Sequence, residues 1–315
     1  MASFSVPTSS QAAPRRARHE VPDIPGPSLL PPRVYIKLGF LVLLALSGLD
    51  HPHLVRDAAA HSPPVAEEAP SGKDWPSILA RVRNNALAYS AQLPDFICNQ
   101  TTTLFIRTVS PTVRWRITGR FVAALSFYDR KEHYEILTVN REPAPGGTTM
   151  ENLAGGLSIG EFGSALRGLF EHRTQAEFRL IGPKRINKRK TLCIAFEVSQ
   201  ERSRRFITYN DRTIMTAYRG RCWVNPSTYE IVRLEKKSVG IPQDFPVTRF
   251  DMSVDYAPAA IAGASFWLPR EAEIWISRRI PGDHVSHKTP PIQTKSKLRF
   301  DGYRRFGTGV KLVTE

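Results

Sequence analysis

Alternation of apolar and polar residues over short runs is the feature of this sequence that most limits its fold. The clearest run spans residues 249–256 and places four apolar or aromatic side chains at every second position. They are Phe250, Met252, Val254 and Tyr256. Because successive side chains of a β-strand point to opposite faces, such a run is predicted to be a strand with one face to bury.

Eleven runs of this kind can be counted, separated by turn residues such as Asn225-Pro226 and Ala262-Gly263. They lie near residues 98–107, 114–127, 131–139, 175–182, 190–198, 204–210, 214–224, 229–238, 247–257, 264–277 and 294–304. Strands and helices do not alternate, which disfavours a Rossmann sheet or a TIM barrel. We expect a mainly β (α+β) chain with one strongly curved antiparallel sheet, an unclosed half-barrel of about eleven strands, with two covering helices.

Two segments have the spacing of amphipathic helices that could cover such a sheet. The first follows Asp74 as N-cap, has Pro76 in its first turn and ends before Pro94. The second is predicted from a capping-box pattern at Ser158–Glu161, followed by an apolar face. That face contains Phe162, Leu166, Leu169 and Phe170.

The N-terminal region is predicted to lie outside the folded domain. Residues 1–33 lack apolar periodicity and are expected to be a disordered leader. Residues 34–60 resemble a signal peptide, because Arg33 and Lys37 precede an uncharged stretch and an Ala-rich site follows it. That stretch, residues 38–49, would form a helix of roughly 18 Å, short of the ~30 Å hydrocarbon core. Export is favoured, and an inner-membrane anchor formed by residues 34–49 is the alternative.

The remaining organisation follows from composition. Residues 61–73 are predicted to be a linker, residues 74–306 a single β-rich domain and residues 307–315 a C-terminal tail. The chain is basic, with a formal net charge of +15. Its three cysteines include no CxxC spacing and no HExxH motif is present, which excludes zinc ribbons, thioredoxin-like redox proteins and zincin proteases. We expect no metal and no cofactor.

Several motifs resemble those of the periplasmic lipoprotein-carrier (LolA-like) superfamily. The segment 220–234 resembles its tryptophan-valine-aspartate hairpin, with Asn225 in place of the aspartate. Asp255-Tyr256 and the Phe-Trp-Leu-Pro segment 266–269 fit its later pattern. Segments 96–101, 158–163, 201–203 and 241–246 resemble a family of uncharacterised exported bacterial proteins. The resemblance implies an unclosed barrel whose apolar hollow receives acyl chains or lipid.

Two sets of candidate binding residues follow. An apolar concavity is expected to be lined by Leu166, Phe170, Phe250, Met252, Val254, Ile274 and Ile276, with plain core as the alternative role. A basic hairpin tip is expected to meet an anionic membrane surface through Lys184, Arg185, Lys188, Arg189 and Lys190. Nucleic acid would use the same charge, but export would keep the chain away from it.

The sequence also contains a candidate disulfide and a candidate nucleophilic serine. In an oxidising compartment one disulfide is possible, with Cys98–Cys222 as the favoured pair and Cys193 left over. Gly156-Leu157-Ser158-Ile159-Gly160 matches the G-x-S-x-G nucleophile elbow, but no strand leads into it and helix capping is a sufficient role for Ser158.

The sequence therefore predicts an exported, non-enzymatic binding protein for lipid or acyl groups, with no catalytic residues. Two alternatives stay open. The first is an envelope structural or protein-interaction domain with a filled core and an unknown protein partner. The second is a serine hydrolase that uses Ser158.

Overall fold

The computed structural model describes residues 34–35, 74–108, 113–153, 160–279 and 291–306. The predictions for the leader, most of the signal segment, the linker and the tail concern residues outside these ranges. Among the described residues, no helix has both the length and the apolar character needed to cross a membrane.

Fourteen strands and three helices occur in the described ranges. The strands are β1 (Val34–Tyr35), β2 (Phe96–Thr108), β3 (Arg116–Tyr128), β4 (Lys131–Val139), β5 (Glu142–Pro143), β6 (Glu177–Ile186), β7 (Arg189–Val198), β8 (Phe206–Tyr209), β9 (Arg212–Met215), β10 (Ala217–Val224), β11 (Ile231–Val239), β12 (Val247–Ile261), β13 (Ala264–Arg278) and β14 (Ile292–Arg305). The helices are α1 (Trp75–Gln92), α2 (Ser164–Phe170) and α3 (Gln200–Ser203).

Eleven of the strands form one antiparallel sheet that is not closed into a barrel. Its order is β5-β4-β3-β2-β14-β13-β12-β11-β10-β7-β6, so β5 and β6 are its edges. Strands β1, β8 and β9 form a separate three-stranded sheet. The predicted architecture is confirmed, and each of the eleven predicted runs contains a strand.

The predicted run 214–224 contains a break that the alternation did not reveal. Strand β9 ends at Met215 and β10 begins at Ala217, and the two strands belong to different sheets. The residue between them, Thr216, is fully buried and its amide donates a hydrogen bond to the Arg205 carbonyl at 3.0 Å. The predicted run 204–210 forms β8 of the three-stranded sheet, so ten predicted runs contribute to the large sheet. Its eleventh strand is the two-residue β5.

Helix α1 forms as predicted and packs on one face of the large sheet. It begins directly after Asp74, carries Pro76 in its first turn and ends before Pro94. Its buried residues, Ile78, Val82 and Ala86, recur every fourth position and so lie on one side of the helix. They join the hydrophobic core formed by the sheet.

Helix α2 also packs on this core, but its predicted start is wrong. It begins at Ser164, whereas the capping-box pattern placed its start at Ser158–Glu161. Gly160 and Gly163 have φ angles of +74° and +123°, which L side chains rarely adopt and which interrupt a right-handed helix. Phe162 therefore lies on a turn that precedes the helix.

Candidate functional site

The seven residues predicted to line an apolar concavity lie in the packed core. Ile276, the most exposed of them, keeps 8% of its accessible surface, and Val254 keeps none. The ring of Phe162 fills the same side of the sheet, 5.3 Å from Phe96 and 5.4 Å from Phe300 between ring centroids. In this structure the chain's own side chains fill the apolar face. The seven residues therefore belong to the core, which is the alternative role given in the sequence analysis.

A cavity of about 1400 Å³ lies instead at the end of the strands where β10 turns into β11. Its walls come from the start of α1, the β6–β7 hairpin, the β10–β11 turn and neighbouring parts of β12 and β13. None of the seven predicted apolar residues lines it. The candidate site therefore differs in place and in chemistry from the apolar concavity that the sequence suggested.

One wall of the cavity is the basic hairpin. Four of its cations line the space, and Arg270 of β13 adds a fifth. The four are Lys184, Arg185, Arg189 and Lys190. Asn187 and Lys188 have φ angles of +49° and +67°, as expected for the two central residues of a type I′ turn joining β6 to β7. The predicted hairpin is confirmed, although Lys188 does not line the cavity.

These five cations are not neutralised by the protein. Within the described ranges none of them forms an ion pair with a carboxylate, and all five are exposed. Charges of one sign lining a cleft raise the local concentration of counter-ions. The lining also contains two carboxylates, those of Asp74 and Asp255, so its five cations leave an excess of positive charge that suits an anion.

The opposite wall is aromatic and is held in place by α1. It is formed mainly by Tyr229, Tyr256 and Trp267. The guanidinium of Arg81 lies 4.2 Å from the centroid of the Tyr229 ring, a cation–π contact. The Tyr89 hydroxyl donates a hydrogen bond to the Trp267 carbonyl at 2.8 Å. These contacts from one helix fix both sides of the aromatic wall.

The carboxylate of Asp255 in the cavity lining is already occupied. Arg233 on the neighbouring strand donates to it at 2.5 Å, and Glu235 accepts from the same guanidinium at 2.9 Å. These two hydrogen bonds outweigh the effect of burial and raise the pKa of Arg233, so the group stays charged. Asp255 therefore does little to offset the basic wall.

A buried lysine in the core was missed by sequence reasoning. Lys236 is 6% exposed and donates to the Ala165 carbonyl of α2 at 2.7 Å. Burial, with a smaller contribution from Arg205, lowers the pKa of Lys236 to about 7. The alternation of β11 contained the signal, since Lys236 lies two residues after the buried Leu234.

Arg205 joins this cluster from the loop after α3. Its Nε donates to Ser238 Oγ at 2.8 Å, and its guanidinium lies 4.4 Å from the Phe250 ring centroid. The residue keeps partial surface exposure, but its guanidinium is enclosed, and burial lowers its pKa to about 10. No local sequence pattern could place this side chain against Lys236.

The predicted disulfide between Cys98 and Cys222 is wrong in this structure. All three cysteines are free and buried. Cys98 lies on β2 and Cys222 on β10, and four strands of the sheet separate them. Burial raises the pKa of both thiols, which keeps them protonated and unreactive at neutral pH.

The structure offers little support for bond-making chemistry in its described part. Within those ranges no group of three or more His, Cys, Asp or Glu side chains is arranged to hold a metal ion. Ser158, the candidate nucleophile of the hydrolase hypothesis, lies outside the described residues.

Comparisons with known proteins find similarity to several solved structures. No protein-family model matches it, and no curated protein does. A solved outer membrane lipoprotein-sorting protein domain from Vibrio parahaemolyticus is 12% identical with a TM-score of 0.32, covering 74% of this chain and 93% of its own. A LolA superfamily protein from Nitrosomonas europaea is 12% identical with a TM-score of 0.25, covering 76% and 97%.

A DUF1329 family protein from Desulfovibrio piger is 9% identical with a TM-score of 0.32, covering 76% of this chain and 94% of its own. The LolA-like superfamily that the sequence motifs resemble is therefore represented among the similar structures. Identities and scores at this level carry no information about the ligand of this chain.

Proposed function

We propose that this chain is an exported, non-enzymatic binding protein that takes an amphiphile with an anionic head group in the cavity beside the basic hairpin. The observation that carries the proposal is the pair of unlike walls around one space of about 1400 Å³. One wall carries unpaired cations and the other carries aromatic rings. Export follows from the signal-like features of residues 34–60.

The basic wall supplies recognition of the head group. Arg185 and Arg189 can each donate two parallel hydrogen bonds to a carboxylate or phosphate, and Lys184 can add a point charge. Hydrogen bonds to ionised partners are about twice as strong as neutral ones. The cations carry no carboxylate partner among the described residues, so a ligand would not have to displace one.

The aromatic wall supplies affinity for an apolar chain. Removal of apolar surface from water contributes roughly 25 cal/mol per Å², or about 0.8 kcal/mol per methylene group. Leu192 and Val232 extend the apolar surface beyond the three rings. Binding of this kind requires no nucleophile and no metal.

Substitution of the basic wall tests the proposal directly. The probe is cis-parinaric acid, a fluorescent fatty acid, compared with its methyl ester, which keeps the chain and lacks the charge. We expect the acid to bind at least about tenfold more tightly than the ester, because the ester loses the charge-assisted hydrogen bonds. The triple variant Lys184→Gln, Arg189→Gln, Lys190→Gln is expected to bind the acid at least about tenfold more weakly.

A matched control separates the site from net charge. The triple variant Arg179→Gln, Arg219→Gln, Arg221→Gln also removes three exposed cations, and none of these three residues lines the cavity. It is expected to bind the acid as the unmodified chain does. Equal losses in both triple variants, or equal affinity for acid and ester, would contradict the proposal.

A protein-interaction role is the second candidate, and the filled core favours it. Among the described residues, side chains of α1 and α2 pack directly on the sheet, and the same cationic cavity would suit an acidic segment of an envelope protein. Chemical crosslinking in cells distinguishes the two roles. A protein adduct at the β6–β7 hairpin, together with no binding of parinaric acid, would favour the protein partner.

A further inference from the structure

A row of aromatic, aliphatic and cationic side chains crosses the solvent face of the sheet, away from the cavity. In register across β3, β2, β14 and β13 stand Ile117, Phe105, Lys295 and Trp275. Trp275 lies eight residues along β13 from Trp267 of the cavity, which is about 27 Å at the rise of an antiparallel strand. The row is therefore a separate surface, which we call the aromatic face.

The rings of the aromatic face are covered by the chain's own cations. The Lys295 ammonium lies 5.0, 4.7 and 4.9 Å from the ring centroids of Phe105, Trp115 and Trp275. Arg107 lies 4.5 Å from the centroid of Trp115. The two indoles meet edge to face at 5.3 Å. These contacts hold the rings and the cations together in one rigid patch.

Aliphatic side chains project from the edge of this patch into solvent. Ile117 is 67% exposed and Val113 is 38% exposed. Between them lie the exposed Arg114 and Arg116, with Trp115 in the middle. The core-facing alternation of β3 starts only at Phe121, so packing inside the protein does not require these apolar residues.

The patch carries an excess of positive charge. Two carboxylates beside the row are paired, Asp251 with Arg249 at 2.6 Å and Glu273 with Lys297 at 3.1 Å. Four other cations form no ion pair within the described ranges. They are Arg107, Arg114, Arg116 and Lys295.

We infer that the aromatic face docks on the surface of an anionic lipid bilayer. Ile117, Val113 and Trp115 enter the interface between head groups and acyl chains, where indole rings and aliphatic groups are favourably placed. The arginines beside them meet lipid phosphates, and attraction to anionic lipid adds to the apolar term. This inference concerns a surface distinct from the cavity and stands whether or not the cavity binds an amphiphile.

The composition of the face favours lipid over nucleic acid. Binding of single strands relies on aromatic faces that are free to stack on bases, but here Lys295 and Arg107 cover the indole of Trp115. The exposed aliphatic groups have no counterpart on a phosphate backbone. A bilayer interface accommodates both the cations and the aliphatic groups.

Quenching of tryptophan fluorescence by vesicles tests the inference on the full chain. The vesicles contain phosphatidylglycerol with brominated acyl chains, and bromine quenches only indoles that approach the chains closely. We expect Trp115→Phe to lose at least about half of the quenching, because Trp115 is the indole between the exposed aliphatic residues. Ile117→Ser is expected to weaken vesicle binding about fivefold or more, because it removes an apolar side chain from the interface.

The controls use matched substitutions elsewhere. Trp223→Phe, on β10 and outside both the cavity lining and the aromatic face, should leave the quenching in place, and Leu137→Ser removes another exposed aliphatic residue, 41% exposed, without changing vesicle binding. Quenching that survives Trp115→Phe unchanged would overturn the inference, as would equal quenching by brominated phosphatidylcholine. Binding of single-stranded poly(U) that anionic vesicles do not displace would overturn it in favour of nucleic acid.

Discussion

Gly220→Ala is expected to lower the free energy of unfolding by about 3 kcal/mol, a large effect for one methyl group. Gly220 lies on β10 between Phe196 on β7 and Lys236 on β11. A Cβ at this position would lie 1.9 Å from the Glu235 carbonyl oxygen and 2.5 Å from the Phe196 ring. Both neighbours belong to the sheet or its core, so relief requires a shift of strands or of a buried ring.

Gly119→Ala is the matched control, because it also adds one methyl group to a strand of the same sheet. Its Cβ would make only ordinary contacts at 3.5 Å with Leu104 and Asn140. We expect a change within about 1 kcal/mol, in the stabilising direction, because alanine reduces the entropy of the unfolded chain. Urea unfolding followed by circular dichroism measures both variants. Equal stabilities for Gly220→Ala and Gly119→Ala would show that the described approach of β10 to β11 is wrong.

The second large effect is a dependence of stability on pH that arises from Lys236. Its pKa is about 7 in the folded chain, below the ordinary value of 10.5 for a solvated lysine. Between these values the unfolded chain binds more protons than the folded chain, so stability rises with pH. From pH 7 to pH 8.5 the gain is expected to be about 1.5 kcal/mol.

Lys236→Met is expected to abolish this rise, because the side chain then binds no proton in either state. Lys237→Met changes the exposed neighbouring lysine and should leave the rise intact. The window ends near pH 8.5, because burial also raises the pKa of the cysteines above the ordinary value of 9.0, and that effect lowers stability at higher pH. Urea titrations at pH 7.0 and 8.5 measure the difference. A slope that is the same in Lys236→Met and the unmodified chain would contradict the burial of a titrating amine.

Most of the fold was predictable because the long strands of the large sheet carry their own signals. Alternation in residues 249–256 identified β12 and its buried face, since a half-buried strand needs no distant information to be recognised. Helix α1 was predictable for a similar reason, because Asp74, Pro76 and Pro94 mark its ends locally. The start of α2 was not, because Gly160 and Gly163 have positive φ angles and residues 161–163 form a turn before Ser164.

The candidate site was predictable only in part, because its walls are distant in sequence. The basic run 184–190 pointed to an exposed hairpin, and the hairpin is present. Its position opposite Tyr229 and Trp267 depends on the order of strands across the sheet, which periodicity cannot give. Whether Phe250 and Ile274 are core or ligand lining depends on how completely α1, α2 and Phe162 fill the space above them.

Photolabelling locates the ligand and so tests the central claim most directly. A fatty acid with a diazirine on its chain is bound to the full chain and irradiated, and labelled residues are identified by peptide mass spectrometry. The cavity predicts labels at Tyr229, Trp267 and the β6–β7 hairpin, all of which lose intensity in the triple variant of the basic wall. Labels concentrated on Phe250, Met252 or Ile274 would contradict the account, because they would show that the ligand enters the space between sheet and helices.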